Sequence, residues 1–305
     1  MKTPVSAPAW ALLVGAALWG VMWYPFRLLA AGGLDGIWST VLAYGVAFVV
    51  GSAVFPRDFA SLRRMPWLAV AMGLAIGLSN LGYVVGVLEG EVMRVLLLFY
   101  LAPLWTVPFA RLLLGERLDA AGAVVMTLAM AGAVVMLWRP ELGAPWPASL
   151  AEWLGVGSGI LFALGNVLVR RLDTMTDAAK SIVVWAGVAV SAAAHLPLSA
   201  LPAPAALSAA AAQGPLLAGI GVALVAMSYS IQYGLARIPA NRAIVILLFE
   251  LVVAAVAAYY LAGETLRAPD WIGGAFIVLA CVATSRIKAE TQRPQRAQRP
   301  QRKIQ

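Results

Sequence analysis

ARIPANRAIVILLFELVVAAVAAYYLAGETL, residues 236–266, is the stretch whose reading decides the fold. Between Arg242 and Glu264 it holds a single charge, Glu250, in an apolar run long enough to cross a bilayer, which takes about 20 residues. The layout occurs twice. In LEGEVMRVLLLFYLAPLWTVPFARLLLGERL, residues 88–118, Arg94 stands 148 positions before Arg242, Gly115-Glu116 before Gly263-Glu264 and Leu118 before Leu266.

The same offset pairs Gly73 with Gly221, Gly86 with Gly234, Asn80 with Ser228 and Ala120 with Ala268. For the first helix of each half the offset is nearer 143, pairing Arg27 with Arg170. The chain therefore divides into residues 1–143, residues 144–286 and a tail, 287–305. Apolar residues make up 62% of the chain and charged residues 12%, far from the composition of soluble domains. The apolar runs predict spans at 9–30, 37–55, 67–88, 93–114, 120–138, 152–170, 180–198, 215–236, 241–262 and 270–285. The expected fold is an all-α integral membrane protein of ten transmembrane helices. Five helices per half is an odd number, so the second half must enter the membrane upside down. Inverted repeats of this kind place a substrate site near the midplane.

Charge orients the bundle. With a cytoplasmic N-terminus, only Arg27, Arg94, Arg139 and Arg267 of the 22 Lys and Arg residues fall on the outer side. The other eighteen (22 − 4) fall on the cytoplasmic side, the bias expected of a multi-pass inner-membrane protein with both termini inside. The Arg-, Gln- and Pro-rich tail lacks the apolar content to fold and suits anionic headgroups. The net charge of +8 thus points to the lipid bilayer as partner and not to nucleic acid. The run from Pro8 to about Leu29 is too long for a signal-peptide core and is read as an uncleaved first helix.

One cysteine, Cys281, and one histidine, His195, leave little catalytic or metal-binding chemistry. His195 is expected at a helix end and Cys281 in packing. No catalytic residue, metal or cofactor is called for, and no nucleotide-binding Gly-x-x-x-x-Gly-Lys loop is present.

Gly-Glu-x-Leu after an apolar helix, twice, with Trp19-Gly20 in the first helix and 236–250 running into 261–266, resembles the drug/metabolite transporter superfamily. The similarity is to its EamA-type members, with two inverted five-helix repeats, over roughly 8–286. Within them the chain is most similar to the aromatic and neutral amino-acid exporters of the YddG type. The resemblance implies a secondary transporter that exports amino acids or related metabolites by alternating access. The proton is one coupling ion open to it. An exporter of another solute class on the same fold is the alternative; an intramembrane enzyme or a channel finds too few polar groups. In this family a proline often follows the small or acidic residue of the fourth helix. Ala102-Pro103 keeps it and Glu250-Leu251 does not, so a hinge is expected in helix 4 and not in helix 9.

Glu250 heads the candidate binding residues, because a carboxylate at membrane depth costs about 2.5–3.5 kcal/mol and marks a cavity. It is suited to a substrate ammonium or a coupling proton. Trp19, Tyr83, Tyr100 and Trp105 are expected to line a pocket with Asn80, Asn166 and Tyr229; Trp185, Ser228 and Gln232 also lie deep. Pro25, Pro103 and Pro108 are candidate hinges, freeing the carbonyls of Val21, Phe99 and Leu104. Gly73/Gly77, Gly82/Gly86 and Gly155/Gly159 have the four-residue spacing of close helix packing.

Single cysteines placed beside Glu116 and Glu264 in a Cys281→Ser background should react with an impermeant thiol reagent from opposite sides of the membrane. Reaction of both from one side contradicts the inverted layout.

Overall fold

The structure, a computed structural model, describes residues 6–138, 140–142, 146–263 and 265–286. The tail, Arg139 and Glu264 lie outside the described residues. The longer helices are α1 (Ala7–Ala31), α2 (Gly36–Val54), α4 (Trp67–Glu89), α7 (Ala120–Leu137), α8 (Leu150–Arg171), α9 (Asp177–Ala193), α11 (Gly214–Arg237) and α14 (Ala268–Arg286). Two further spans are each broken in two: α5 (Val92–Phe99) with α6 (Ala102–Phe109), and α12 (Ala240–Leu247) with α13 (Phe249–Ala262). Short α3 (Pro56–Ser61) and α10 (Ala203–Ala212) lie in connections. Within a bilayer a helix satisfies its own backbone groups, so the polar effort goes to the ends. Asp35, Asp119, Ser149 and Thr176 each cap the helix that follows them. Gly115 and Gly263 stop their spans at φ 71° and 68°, a conformation that costs glycine little.

Eight of these segments are long and apolar enough to cross a membrane, which supports a multi-pass membrane protein. The two remaining expected spans fall on α9 and α14. At 17 residues α9 rises about 26 Å at 1.5 Å per residue, a little short of a hydrocarbon core of about 30 Å. It ends at Ala193, with Leu196–Leu198 in a separate turn, five residues before the expected boundary of 198. Packed among α2, α4 and α11, it is the most enclosed of the longer helices, so its hydropathy is not set by lipid. Trp185 is fully buried there and donates from Nε1 to Ser228 Oγ at 2.9 Å, which makes it core and not pocket. The Ala- and Pro-rich connection 199–214 contains the helix α10. His195 follows α9 with Nδ1 3.0 Å from Ser191 O, and Cys281 is buried against Val245 O.

The packing repeats with the halves exchanged. Helix α4 lies on α8 and α11 on α1; α4 lies on α9 and α11 on α2; α6 lies on α8 and α13 on α1; α5 lies on α8 and α12 on α1. The two broken spans agree to the residue: α5 and α12 both begin and end 148 positions apart. A Cβ on Gly86 would stand 2.9 Å from Ala151 O, and one on Gly234 would stand 2.9 Å from Pro8 O. Those partners differ by 143 positions, the offset of the first helices.

The break in the second half corrects the expectation that only helix 4 is interrupted. Its chain turns at Leu248 without a proline, at the register where Tyr100 and Leu101 interrupt the first half ahead of Pro103. Helix α1 runs unbroken through half-buried Pro25, and Pro108 sits on the exposed side of α6 just before a π-helical turn, Ala110–Leu114. The carbonyl of Phe99 faces α8 at Gly159, whose Cβ would stand 2.6 Å from it, so that group is spent on helix packing.

Gly86→Val and Gly234→Val should each destabilise the detergent-purified protein by about 1–3 kcal/mol through overpacking, read as a lower melting temperature. Gly45, with nothing within 4 Å of a Cβ, supplies the control. Equal melting temperatures for all three variants contradict the packing described.

Candidate functional site

One face of α1 presents Trp19, Trp23 and Phe26, spaced to line up along the helix. Opposite stand Thr40 and Tyr44 of α2, Asn80 and Tyr83 of α4, and Met93 and Leu96 of α5. Glu250 and Leu251 of α13 are followed by Ala254, Ala255 and Ala258, whose small side chains leave room. These residues enclose a cavity of about 640 Å³. At one end, the open end, its lining reaches Thr265, Leu266, Arg267 and Asp270, where α13 passes to α14 and the Arg267 side chain is 43% exposed. Arg267 pairs with Asp270 at 3.5 Å.

Glu250 is buried, and its Oε1 accepts a hydrogen bond of 2.6 Å from the Tyr100 hydroxyl. Both groups owe their positions to helix breaks. Tyr100 sits in the interruption between α5 and α6, and the turn at Leu248 puts Glu250 in the first turn of α13. There the partial positive charge of a helix N-terminus favours a carboxylate. Gly20 allows the approach of α1, since a Cβ on it would stand 2.6 Å from Glu250 O. Trp19-Gly20 thus supplies an aromatic wall and the clearance beside it.

Of the residues expected to bind, Glu250, Trp19, Asn80, Tyr83 and Tyr100 line this cavity, and Trp105, Asn166 and Tyr229 do not. Trp105 is 38% exposed on the outside of α6. Tyr229, 39% exposed, stacks on Phe55 at 5.5 Å between ring centres. Asn166 is buried on α8 toward the other end of the bundle. Depth in the membrane selected all three, but depth does not say which way a helix face points. The unforeseen lining residues Trp23, Phe26, Thr40 and Tyr44 were accessible through spacing: Trp23 and Phe26 continue the face of Trp19.

The other end is closed. Glu116 bonds Arg170 Nε through Oε1 and accepts from the Ala240 N–H through Oε2 at 2.8 Å. Arg170 Nη1 also donates to Ala236 O at 3.3 Å. Asp119 pairs with Arg242 at 3.4 Å. Glu116 and Asp119 belong to the first half and their partners to the second, so these contacts hold the two halves together. A smaller cavity of about 270 Å³ remains beside them, lined by Val107, Arg111, Glu116, Arg117 and Leu118.

The chain is similar to known proteins in sequence and in fold. Residues 149–286, in the second half of the chain, match the family of EamA-like transporters. A relative from Archaeoglobus fulgidus named "Uncharacterized transporter" is 26% identical, with 79% of this chain and 96% of the relative covered. A protein of known crystal structure shares the fold, with a TM-score of 0.71 over 92% of this chain and 98% of its own at 19% identity.

Proposed function

We propose that the protein is a secondary transporter of the cytoplasmic membrane that exports neutral, chiefly aromatic, amino acids or close metabolites by alternating access. The observation that carries this is a buried carboxylate, Glu250, deep in an aromatic cavity whose lining reaches the half-exposed Arg267. The EamA-like match and the relative's name support a transporter over an enzyme. Exchange-symmetric packing and spans broken at the same register support two inverted five-helix repeats, with α9 and α14 completing ten crossings. The basic residues Arg111, Arg117, Arg170, Arg171 and Arg237 support a cytoplasmic position for the closed end. The cavity then faces outward, from the side where an exporter releases its solute.

In this reading the substrate ammonium leaves water for Glu250, the one full charge at that depth, and displaces or shares the Tyr100 hydroxyl. Its side chain stacks among Trp19, Trp23, Phe26 and Tyr83. Asn80 supplies donors for a carboxylate. Energy comes from the gradient of the solute or of protons.

Counterflow of phenylalanine in liposomes tests the reading. Glu250→Gln should lower exchange at least tenfold while the melting temperature stays at or above the parent's, because a neutral amide costs less to bury. Loss of flux driven by a pH gradient with exchange intact would assign Glu250 to the coupling proton instead. Parental rates in both assays contradict a functional Glu250. Tyr100→Phe should weaken exchange less than Glu250→Gln, since it removes a neighbour's hydrogen bond and leaves the charge.

A further inference from the structure

Asn166 Nδ2, Gln232 Oε1 and Asn241 Oδ1 are buried and have no hydrogen-bond partner among the described residues. The three residues are 6%, 3% and 5% exposed. A buried amide atom left unpaired is costly, so three at one end of a bundle need a reason. Their placement is specific. Arg170 of α8 reaches Ala236 O of α11, and Asn166 and Gln232 each lie four residues earlier, one turn deeper on the same faces. Asn241 follows Ala240, which packs against Val167 and donates its N–H to Glu116. All three therefore stand just inside the closed end, behind the Glu116–Arg170 contact.

Exchange of the halves gives these positions a meaning. By the offsets of 143 and 148, Asn166 corresponds to Trp23, Gln232 to Val84 and Asn241 to Met93, and all three counterparts line the open cavity. Val107, Arg117 and Leu118 beside the small cavity correspond to Ala255, Thr265 and Leu266 along the open one. The closed end thus repeats the open cavity in collapsed form, with amides where the open side has an indole, a valine and a methionine.

We propose that Asn166, Gln232 and Asn241 form a second solute site, revealed when the Glu116 contacts part, that binds the α-ammonium and α-carboxylate of a zwitterion. The inference rests on the alternating-access reading above. Each amide offers both a carbonyl acceptor and NH₂ donors, so three suffice for both groups of the zwitterion. With no full charge among them, they hold it more loosely than Glu250 does. A solute entering from the cytoplasm meets this site first and passes from it to the carboxylate.

The test uses the full chain in liposomes, Cys281→Ser, with one cysteine at position 166, 232 or 241. A charged thiosulfonate reagent is added to the face that carries Glu116. Reaction at least tenfold faster than at a cysteine replacing buried Trp185, and slowed by phenylalanine, is the expected result. Reaction no faster than at position 185 overturns the proposal, because the segment then never opens. Reaction that phenylalanine does not slow, while it protects a cysteine at Met93 in the open cavity, marks a water-filled vestibule and overturns the site alone. Absence of protection at both places overturns the amino-acid reading and this site's ligand with it. As a second measurement, Asn166→Leu with Gln232→Met should melt at or above the parent temperature and lose at least tenfold in counterflow. Parental counterflow in that variant overturns the proposal.

Discussion

A carboxylate inside a bilayer protein is the constraint around which the rest is arranged. Glu250 costs about 2.5–3.5 kcal/mol by position alone. The structure offsets this with the Tyr100 hydroxyl at 2.6 Å, a helix N-terminus and a cavity that leads to the surface. Each depends on chain geometry elsewhere. The hydroxyl arrives because α5 stops at Phe99, and the helix terminus exists because α12 stops at Leu247. Gly20 lets α1 close the wall beside both. An apolar residue at position 250 would relieve the cost and leave the two broken spans without a purpose on the cavity side.

Much of this was readable from residue order. The two stretches at 88–118 and 236–266 carry the repeat, and the offsets of 148 and 143 reappear in space at Gly86 with Ala151 and Gly234 with Pro8. Glu250, Trp19, Asn80, Tyr83 and Tyr100 could be selected because polar and aromatic groups at membrane depth are few. Facing was harder to read. In a helix apolar on every side, hydropathy does not separate the lipid face from the buried one, so Trp105 and Trp185 look alike in sequence. They end up on the surface and in the core respectively. The break at Leu248 was hidden because it is made by packing and a local turn, with no proline to announce it. Spans such as α9 are short and carry Lys180 because neighbouring helices, not lipid, enclose them.

Near-equal halves nonetheless give an unequal molecule. Corresponding helices pair in corresponding ways, yet one end is an open cavity of about 640 Å³ and the other is held shut by Glu116, Arg170, Asp119 and Arg242. Under the alternating-access reading proposed above, a pair of repeats with the same packing rules has two such arrangements, related by exchange of the halves. Small differences in contact decide which is occupied, and a ligand shifts the balance only by preferring one of them. Ion pairs near a surface are modest in energy, so contacts of this kind part at little cost.

The most direct test of the central claim is a structure of the protein with a bound neutral aromatic amino acid. The account predicts the ligand between α1, α4 and α13, its ammonium nitrogen within hydrogen-bond distance of a Glu250 carboxylate oxygen and its ring against Trp19 or Trp23. A ligand seated elsewhere, with Glu250 still bonded only to Tyr100, would contradict it.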